Sequence, residues 1–301
     1  KMQDEGLSPN VITFVCGLKA CGSMGFLEIG KEIHQELENQ DLLGKNIVLC
    51  NALLDMYVKC NVLEKAREVL EELPVRDVIS WSTLISGYAQ QGLGNEALCC
   101  YKKMQNEGLY PDAVTFICLL KACSAIENLE MGKEIHAEIV KKRLLDKNVI
   151  LATTLVDMYA NCGQLKKAQE VFTRLPIRNV VTWNVLIAGY IQHGCNDEAI
   201  CSMRKMQQEG IPPNAITFTY ILKACGALGC LEIGEVIDIE VRKQGLLMKH
   251  FKLGSALIDM YAKCGALEKA KEVFDKLPVR DIVSWTALIA GYAQHGYGEE
   301  A

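Results

Sequence analysis

The chain writes one helix-like phrase three times: ISWSTLISGYAQQG at 79–92, VTWNVLIAGYIQHG at 181–194 and VSWTALIAGYAQHG at 283–296. Trp81, Trp183 and Trp285 are therefore 102 residues apart. A fixed period constrains the architecture more than any total, because each copy must fold alike and cannot bury its apolar face alone. Three unlike units fill one period, 36, 31 and 35 residues long. Long units run 11–46, 113–148 and 215–250; short units 47–77, 149–179 and 251–281; standard units 78–112 and 180–214. Residues 1–10 read as the tail of a truncated standard unit and 282–301 as the start of another, so the chain reads as part of a longer array.

Each unit reads as two helices. In 180–214, Trp183, Leu186, Ile187 and Tyr190 fall at helical spacing, Gly194 breaks the helix, and Asn196 and Asp197 are expected to cap a second. That second helix buries Ala199, Ile200, Met203 and Met206, and Gly210 with Pro212-Pro213 ends it. Stacked hairpins of this kind predict an all-α fold, a right-handed α-solenoid superhelix of helix-turn-helix hairpins forming one solenoid domain. No β-strand pattern competes.

Composition narrows the function classes. No apolar run nears the ~20 residues a membrane span needs, and the polar start is no secretory signal. The fourteen cysteines sit in apolar helical patterns, such as Lys-Ala-Cys at 19–21, 121–123 and 223–225, and read as reduced, buried thiols. His34-x-Glu36 and His136-x-Glu138 have no C-x-x-C to complete a zinc deaminase site, and the third copy has Asp238, so they read as a solvated helix face. His193 and His295 end first helices and suit a helix C-terminus. There is no P-loop and no nucleophile elbow. No enzyme, cofactor or metal is implied.

Two positions vary within a narrow polar alphabet. The fifth residue of the short and standard units is Asn51, Ser82, Thr153, Asn184, Ser255 or Thr286, and the last is Asp77, Asp112, Asn179, Asn214 or Asp281. An Asx just before a helix is an ordinary N-cap, so a solvated, capped face describes the pattern equally well. Helical geometry nevertheless puts positions 2, 5 and 9 on one face, with the last residue beside the next helix start.

The unit lengths, the W-x-x-LI-x-GY and LIDMYAKCG-like phrases and the closing Asp or Asn resemble the pentatricopeptide repeats of land plants, in the subclass with alternating long, short and standard units. The resemblance covers the whole chain. It implies a sequence-specific binder of single-stranded RNA in a mitochondrial or chloroplast factor for C-to-U editing or RNA processing, with each repeat reading about one base. A deaminase domain, in cis beyond this chain or in trans, would be a partner. The family's pairing rule implies U for Asn51/Asp77, G for Ser82/Asp112, A for Thr153/Asn179, C for Asn184/Asn214, G for Ser255/Asp281 and a purine for Thr286, hence 5′-nUGnACnGR-3′. The long units carry Val15/Asn46, Ile117/Asn148 and Thr219/His250 and read as weak readers or spacers.

The resemblance further implies that the apolar second residues sandwich bases: Val48, Ile79, Ile150, Val181 and Val283, with Ile12, Val114 and Ile216 alike and Lys252 as the exception. The plain alternative is helix packing. A net charge of −5 leaves few free cations. Lys19, Lys121 and Lys223 are expected to pair with Asp55, Asp157 and Asp259 of the next unit, leaving Lys59 and Lys263, with Asn161 at that place in the middle copy, for phosphate. Salt dependence should then be shallow. The competing reading is a protein-binding scaffold of the tetratricopeptide kind.

Overall fold

Proline and glycine punctuation explains where the helices stop. The computed structural model describes residues 8–298, so 1–7 and 299–301 of the two end units lie outside the described residues. The described residues form α-helices and no strand. Their contacts divide into two compact units, Lys1–Met158 and Tyr159–Ala301.

In the first unit, α1 (Val11–Met24) pairs with α2 (Leu27–Asn39), α3 (Ile47–Lys59) with α4 (Leu63–Glu72), and α5 (Val78–Gln90) with α6 (Gly94–Asn106). Next, α7 (Ala113–Ala125) pairs with α8 (Leu129–Lys141), and a single 3₁₀ turn at Leu145–Lys147 leads into α9 (Val149–Asn161), within which the division falls. The first helices stack in series, α1 on α3, α3 on α5 and α5 on α7.

The second unit continues with α10 (Leu165–Thr173), α11 (Val180–Gln192), α12 (Asn196–Gln208), α13 (Ala215–Leu228) and α14 (Leu231–Lys243). A 3₁₀ turn at Leu246–Met248 precedes α15 (Phe251–Lys263), α16 (Leu267–Lys276) and α17 (Ile282–Gln294). Here α11, α13, α15 and α17 stack in series, so the fold is an all-α solenoid of hairpins.

Unit length follows from these details. Second helices of the short repeats span only 10, 9 and 10 residues, against 13 in α6 and α12. Each is stopped by a Leu-Pro pair, and Leu73 and Leu277 adopt the extended backbone that a following proline imposes. Leu73, Leu175 and Leu277 are buried, so the stop is also an anchor.

The first helices are apolar nearly all round because they touch a neighbour on each side as well as their own partner. Trp183, Leu186, Ile187, Tyr190, Ala199, Ile200, Met203 and Met206 are all buried, as the helical spacing predicts. The glycine of the Gly-Tyr phrase permits the close approach of stacked first helices. A Cβ on Gly189 would lie 2.6 Å from the Ala160 Cβ, and one on Gly291 2.5 Å from the Ala262 Cβ.

Two local expectations are corrected. Asn196 and Asp197 do not cap α12: they occupy its first turn, and the N-cap is Cys195, which makes no side-chain capping bond. The backbone turns one residue earlier because Cys195 N–H closes a bond to the Tyr190 carbonyl. The cysteines are all free thiols, yet Cys16, Cys99 and Cys201 are exposed rather than buried. The Lys-Ala-Cys residues Cys21, Cys123 and Cys225 are buried, and burial pushes the Cys225 thiol up to about 12.

Candidate nucleic-acid interface

Helix capping sets the first element of the site. The closing residue of each short or standard repeat is the N-cap of the next first helix: Asp77 for α5, Asp112 for α7, Asn179 for α11, Asn214 for α13 and Asp281 for α17. Each spends Oδ1 on backbone N–H groups of that helix, for example from Ser80 at 2.8 Å, Thr115 at 2.8 Å and Thr182 at 3.0 Å. Orphan amides at a helix start demand such an acceptor.

Capping therefore orients the rest of the side chain. With Oδ1 turned inward, the outward atom is Oδ2 in an aspartate and Nδ2 in an asparagine. Among the described residues, Oδ2 of Asp112 and Asp281 and Nδ2 of Asn179 and Asn214 carry no hydrogen bond. An Asp so held presents an acceptor and an Asn a donor. The cap and the residue expected to read a base are therefore the same residue, with its two polar atoms divided.

The fifth residue of one repeat meets the closing residue across the 26 to 30 positions between them. Asn51 Nδ2 donates to both Asp77 oxygens at 3.4 Å, Asn184 Nδ2 to Asn214 Oδ1 at 3.2 Å, and Ser255 Oγ to Asp281 Oδ1 at 3.2 Å. Ser82 reaches Asp112 through Thr115, whose hydroxyl is 2.5 Å from Ser82 Oγ and 2.7 Å from Asp112 Oδ1. Thr153 bonds its own helix at the Val149 carbonyl, 2.7 Å away, and Thr286 does the same at Ile282. Thr153 and Asn179 belong to different units.

Electrostatics favour ionised acceptors. Burial pushes the Asp77 carboxyl up, but the bonds from Ser80 and Asn51 outweigh it and hold the group below the usual carboxylate range. The Ser284 amide, assisted by the Ser284 and Ser255 hydroxyls, does the same for Asp281.

Exposure decides the second position. Ile12, Val48, Ile79, Val114, Ile150, Val181, Ile216 and Val283 are all 55–73% exposed, so none serves as core. Eight branched aliphatic side chains left in solvent at one register position form a repeated apolar surface beside the polar pairs. In the second unit, Val283 joins Ser255, Asp281, Thr286, Lys223 and Lys252 around one cleft of about 620 Å³. Lys252, the exception at position 2, thus faces the same cleft.

The lysine expectation is inverted. Asp55 pairs with Lys59 at 2.6 Å and Asp259 with Lys263 at 2.7 Å, each one turn along its own helix. The i, i+4 spacing brings these partners together without help from the next repeat. Lys19, Lys121 and Lys223 enter no ion pair among the described residues and are exposed.

The His-x-Glu reading is also corrected. His34 is buried, with Nδ1 2.8 Å from the Tyr57 hydroxyl, and burial lowers its basicity. In the third copy Tyr261 donates to Asp238 at 2.9 Å in the same place. His193 and His295 each place Nε2 within 2.8–2.9 Å of a carbonyl on the preceding first helix, at Ala160 and Ala262. No group of ligating residues among those described could hold a metal ion.

Sequence reasoning overlooked the third residue of the first helices, Ser80, Thr115, Thr182, Thr217 and Ser284. All are fully buried hydroxyls beside the cap. The signal was legible as a Ser/Thr alphabet at that position of the standard and long repeats, where the short repeats carry Leu49, Leu151 and Leu253.

Comparison with known proteins agrees with this architecture. The description "PPR repeat family" matches residues 76–125 and 178–227, and "PPR repeat" matches 48–78, 150–180, 255–282 and 283–301. A chloroplastic pentatricopeptide repeat-containing protein of Arabidopsis thaliana is 37% identical over 300 residues, all of this chain and 48% of that protein. A putative mitochondrial one from the same plant is 38% identical over 283 residues, 94% of this chain and 45% of that protein. The chain spans about half the length of the curated relatives it matches. Among solved structures, the pentatricopeptide repeat protein PPR10 in complex with an 18-nt psaJ RNA element superimposes with a TM-score of 0.81 at 19% identity, over all of this chain and 45% of that one. These matches, together with the stacked hairpins, show that the chain belongs to the pentatricopeptide-repeat family.

Proposed function

We propose that the chain binds single-stranded RNA and reads about one base at each short and standard repeat. The observation that carries this reading is the row of exposed Val and Ile residues at position 2, set beside closing residues of which Asp112, Asn179, Asn214 and Asp281 leave the outward atom unspent. Aliphatic faces suit the flat surface of an unstacked base, and the neighbouring donor or acceptor suits its Watson–Crick edge. The complex of PPR10 with RNA lends support from a protein of the same fold.

The divided cap gives the reading its chemistry. U and G present a ring N–H, which the outward carboxylate oxygen of Asp77, Asp112 or Asp281 accepts. C and A present a bare ring nitrogen, to which Nδ2 of Asn179 or Asn214 donates. The resulting target is 5′-nUGnACnGR-3′. Relatives named as chloroplastic and mitochondrial support an organellar setting, where the chain would position a transcript for processing or C-to-U editing by a deaminase domain.

Binding of a fluorescent RNA carrying that string tests the proposal, against strings altered at the U-G and A-C positions and at fixed salt. A mismatched slot should weaken binding about tenfold, or ~1.4 kcal/mol. Asn51→Ser should move the preference at its slot from U to G, and Thr153→Asn from A to C. Equal, weak binding to every RNA would instead favour a protein-binding scaffold.

A further inference from the structure

Two base-reading pairs contain an asparagine at the fifth position, and in both a buried hydroxyl from the next helix meets its carbonyl. Ser80 Oγ lies 2.7 Å from Asn51 Oδ1, and Thr217 Oγ1 lies 2.7 Å from Asn184 Oδ1. Ser80 and Thr217 are fully buried at the third position of α5 and α13. Neither is needed to supply the main capping acceptor, which is Asp77 or Asn214.

We propose that Ser80 and Thr217 are specificity-positioning residues: each turns an asparagine amide so that its donor, not its acceptor, faces the base and thereby selects a pyrimidine. This inference rests on the base-reading function proposed above.

The amide is held from two sides. The hydroxyl, shared with the closing residue's Oδ1 at 2.8 Å for Ser80 and 3.0 Å for Thr217, donates to the amide Oδ1 on the inner side, and the Asp77 carboxylate or Asn214 carbonyl accepts from Nδ2 on the other. A flipped amide would set its oxygen against those acceptors. The second Nδ2 hydrogen remains for the ligand. Both pyrimidines carry an O2 acceptor beside the ring nitrogen. At the position equivalent to O2 guanine carries an amino group and adenine a C–H, so a donor held against that position finds an acceptor in U or C and none in a purine. The closing residue then separates U from C.

The serine and threonine slots offer no amide to turn. Ser82 bonds the Val78 carbonyl and meets the Thr115 hydroxyl at 2.5 Å, and Thr286 bonds the Ile282 carbonyl. At the Ser255 slot Ser284 Oγ bonds the Asp281 carbonyl at 2.8 Å rather than Ser255, although Ser284 is just as buried. Ser284 therefore occupies the register of Ser80 without the proposed positioning role.

The test uses the full chain with Ser80→Ala, the near-isosteric Thr217→Val, the hydroxyl-retaining Ser80→Thr and Thr217→Ser, and the control Ser284→Ala. Each is titrated with the 5′-nUGnACnGR-3′ RNA and with RNAs carrying A or G in the U slot or the C slot, after its melting curve verifies folding. Ser80→Ala should lose at least threefold of its pyrimidine preference at the U slot alone, and Thr217→Val at the C slot alone. The hydroxyl-retaining variants should keep the preference, and Ser284→Ala should leave the U and C slots unchanged. If Ser80→Ala does not fold, Thr217→Val decides the matter. Unchanged discrimination in both variants overturns the positioning role while base reading stands, as does an equal loss at every slot or a loss at the U or C slot in Ser284→Ala. Wild-type chain that ignores base identity overturns base reading and this inference with it.

Discussion

The carboxyls of Asp77 and Asp281 tie base reading to pH. Both are held below the usual carboxylate range when folded. A group with a depressed folded pKa contributes stability that is present above its unfolded value, near ~3.9, and is lost as pH falls through the folded value. Urea midpoints and preference for U at the Asn51 slot should therefore hold between pH 7 and pH 5 and fall only below about pH 4. Asp77→Asn should weaken that acid dependence and move the slot from U to C; a U preference that survives the substitution would contradict the divided cap. This residue-level chemistry was half legible. Asx before a helix signals a cap, and the narrow alphabet signals a reader, but only the folded backbone shows that the cap leaves one polar atom turned outward.

Within a helix, position 2 and the core positions exchange roles. Ile79 is 61% exposed while Leu84 is fully buried on the same α5. Ile79→Ala should change stability by no more than ~0.5 kcal/mol and weaken RNA binding. Leu84→Ala should cost ~2–5 kcal/mol through the cavity it leaves. Urea denaturation and RNA titration of the two variants check this, and a large stability loss in Ile79→Ala would return position 2 to a packing role. Apolar periodicity foretold most elements, but it could not tell an exposed Ile from a buried one on a helix apolar nearly all round. The same limit hid His34: its phase is visible in sequence, but the Tyr57 hydroxyl that buries it comes from the next helix.

Over the whole molecule, charge predicts a weak electrolyte response. With a net charge of −5 and Lys59 and Lys263 paired, the cations free at the proposed reading face are Lys19, Lys121, Lys223 and Lys252. Four phosphate contacts to a single strand give a log–log salt slope of about −3. Replacing any of those four with Gln should flatten the slope by about 0.7, whereas Lys59→Gln should leave it nearly unchanged. Titrations from low to high salt separate the two lysine sets, and a response to Lys59→Gln would show that its ion pair opens on binding.

What the amino-acid sequence determined by itself was the period, the hairpin in each repeat, most helix ends and the registers of positions 2, 5 and last. These are local properties: helical spacing, Leu-Pro stops and Asx caps act within a turn or two of chain. What tertiary structure decided was partnership. Asn51 meets Asp77 and Asn184 meets Thr217 across gaps of 26 and 33 residues, while Lys59 takes the aspartate one turn away instead of leaving it to Lys19. Such choices depend on how closely stacked helices approach, and that distance is set by packing, not by spacing along the chain.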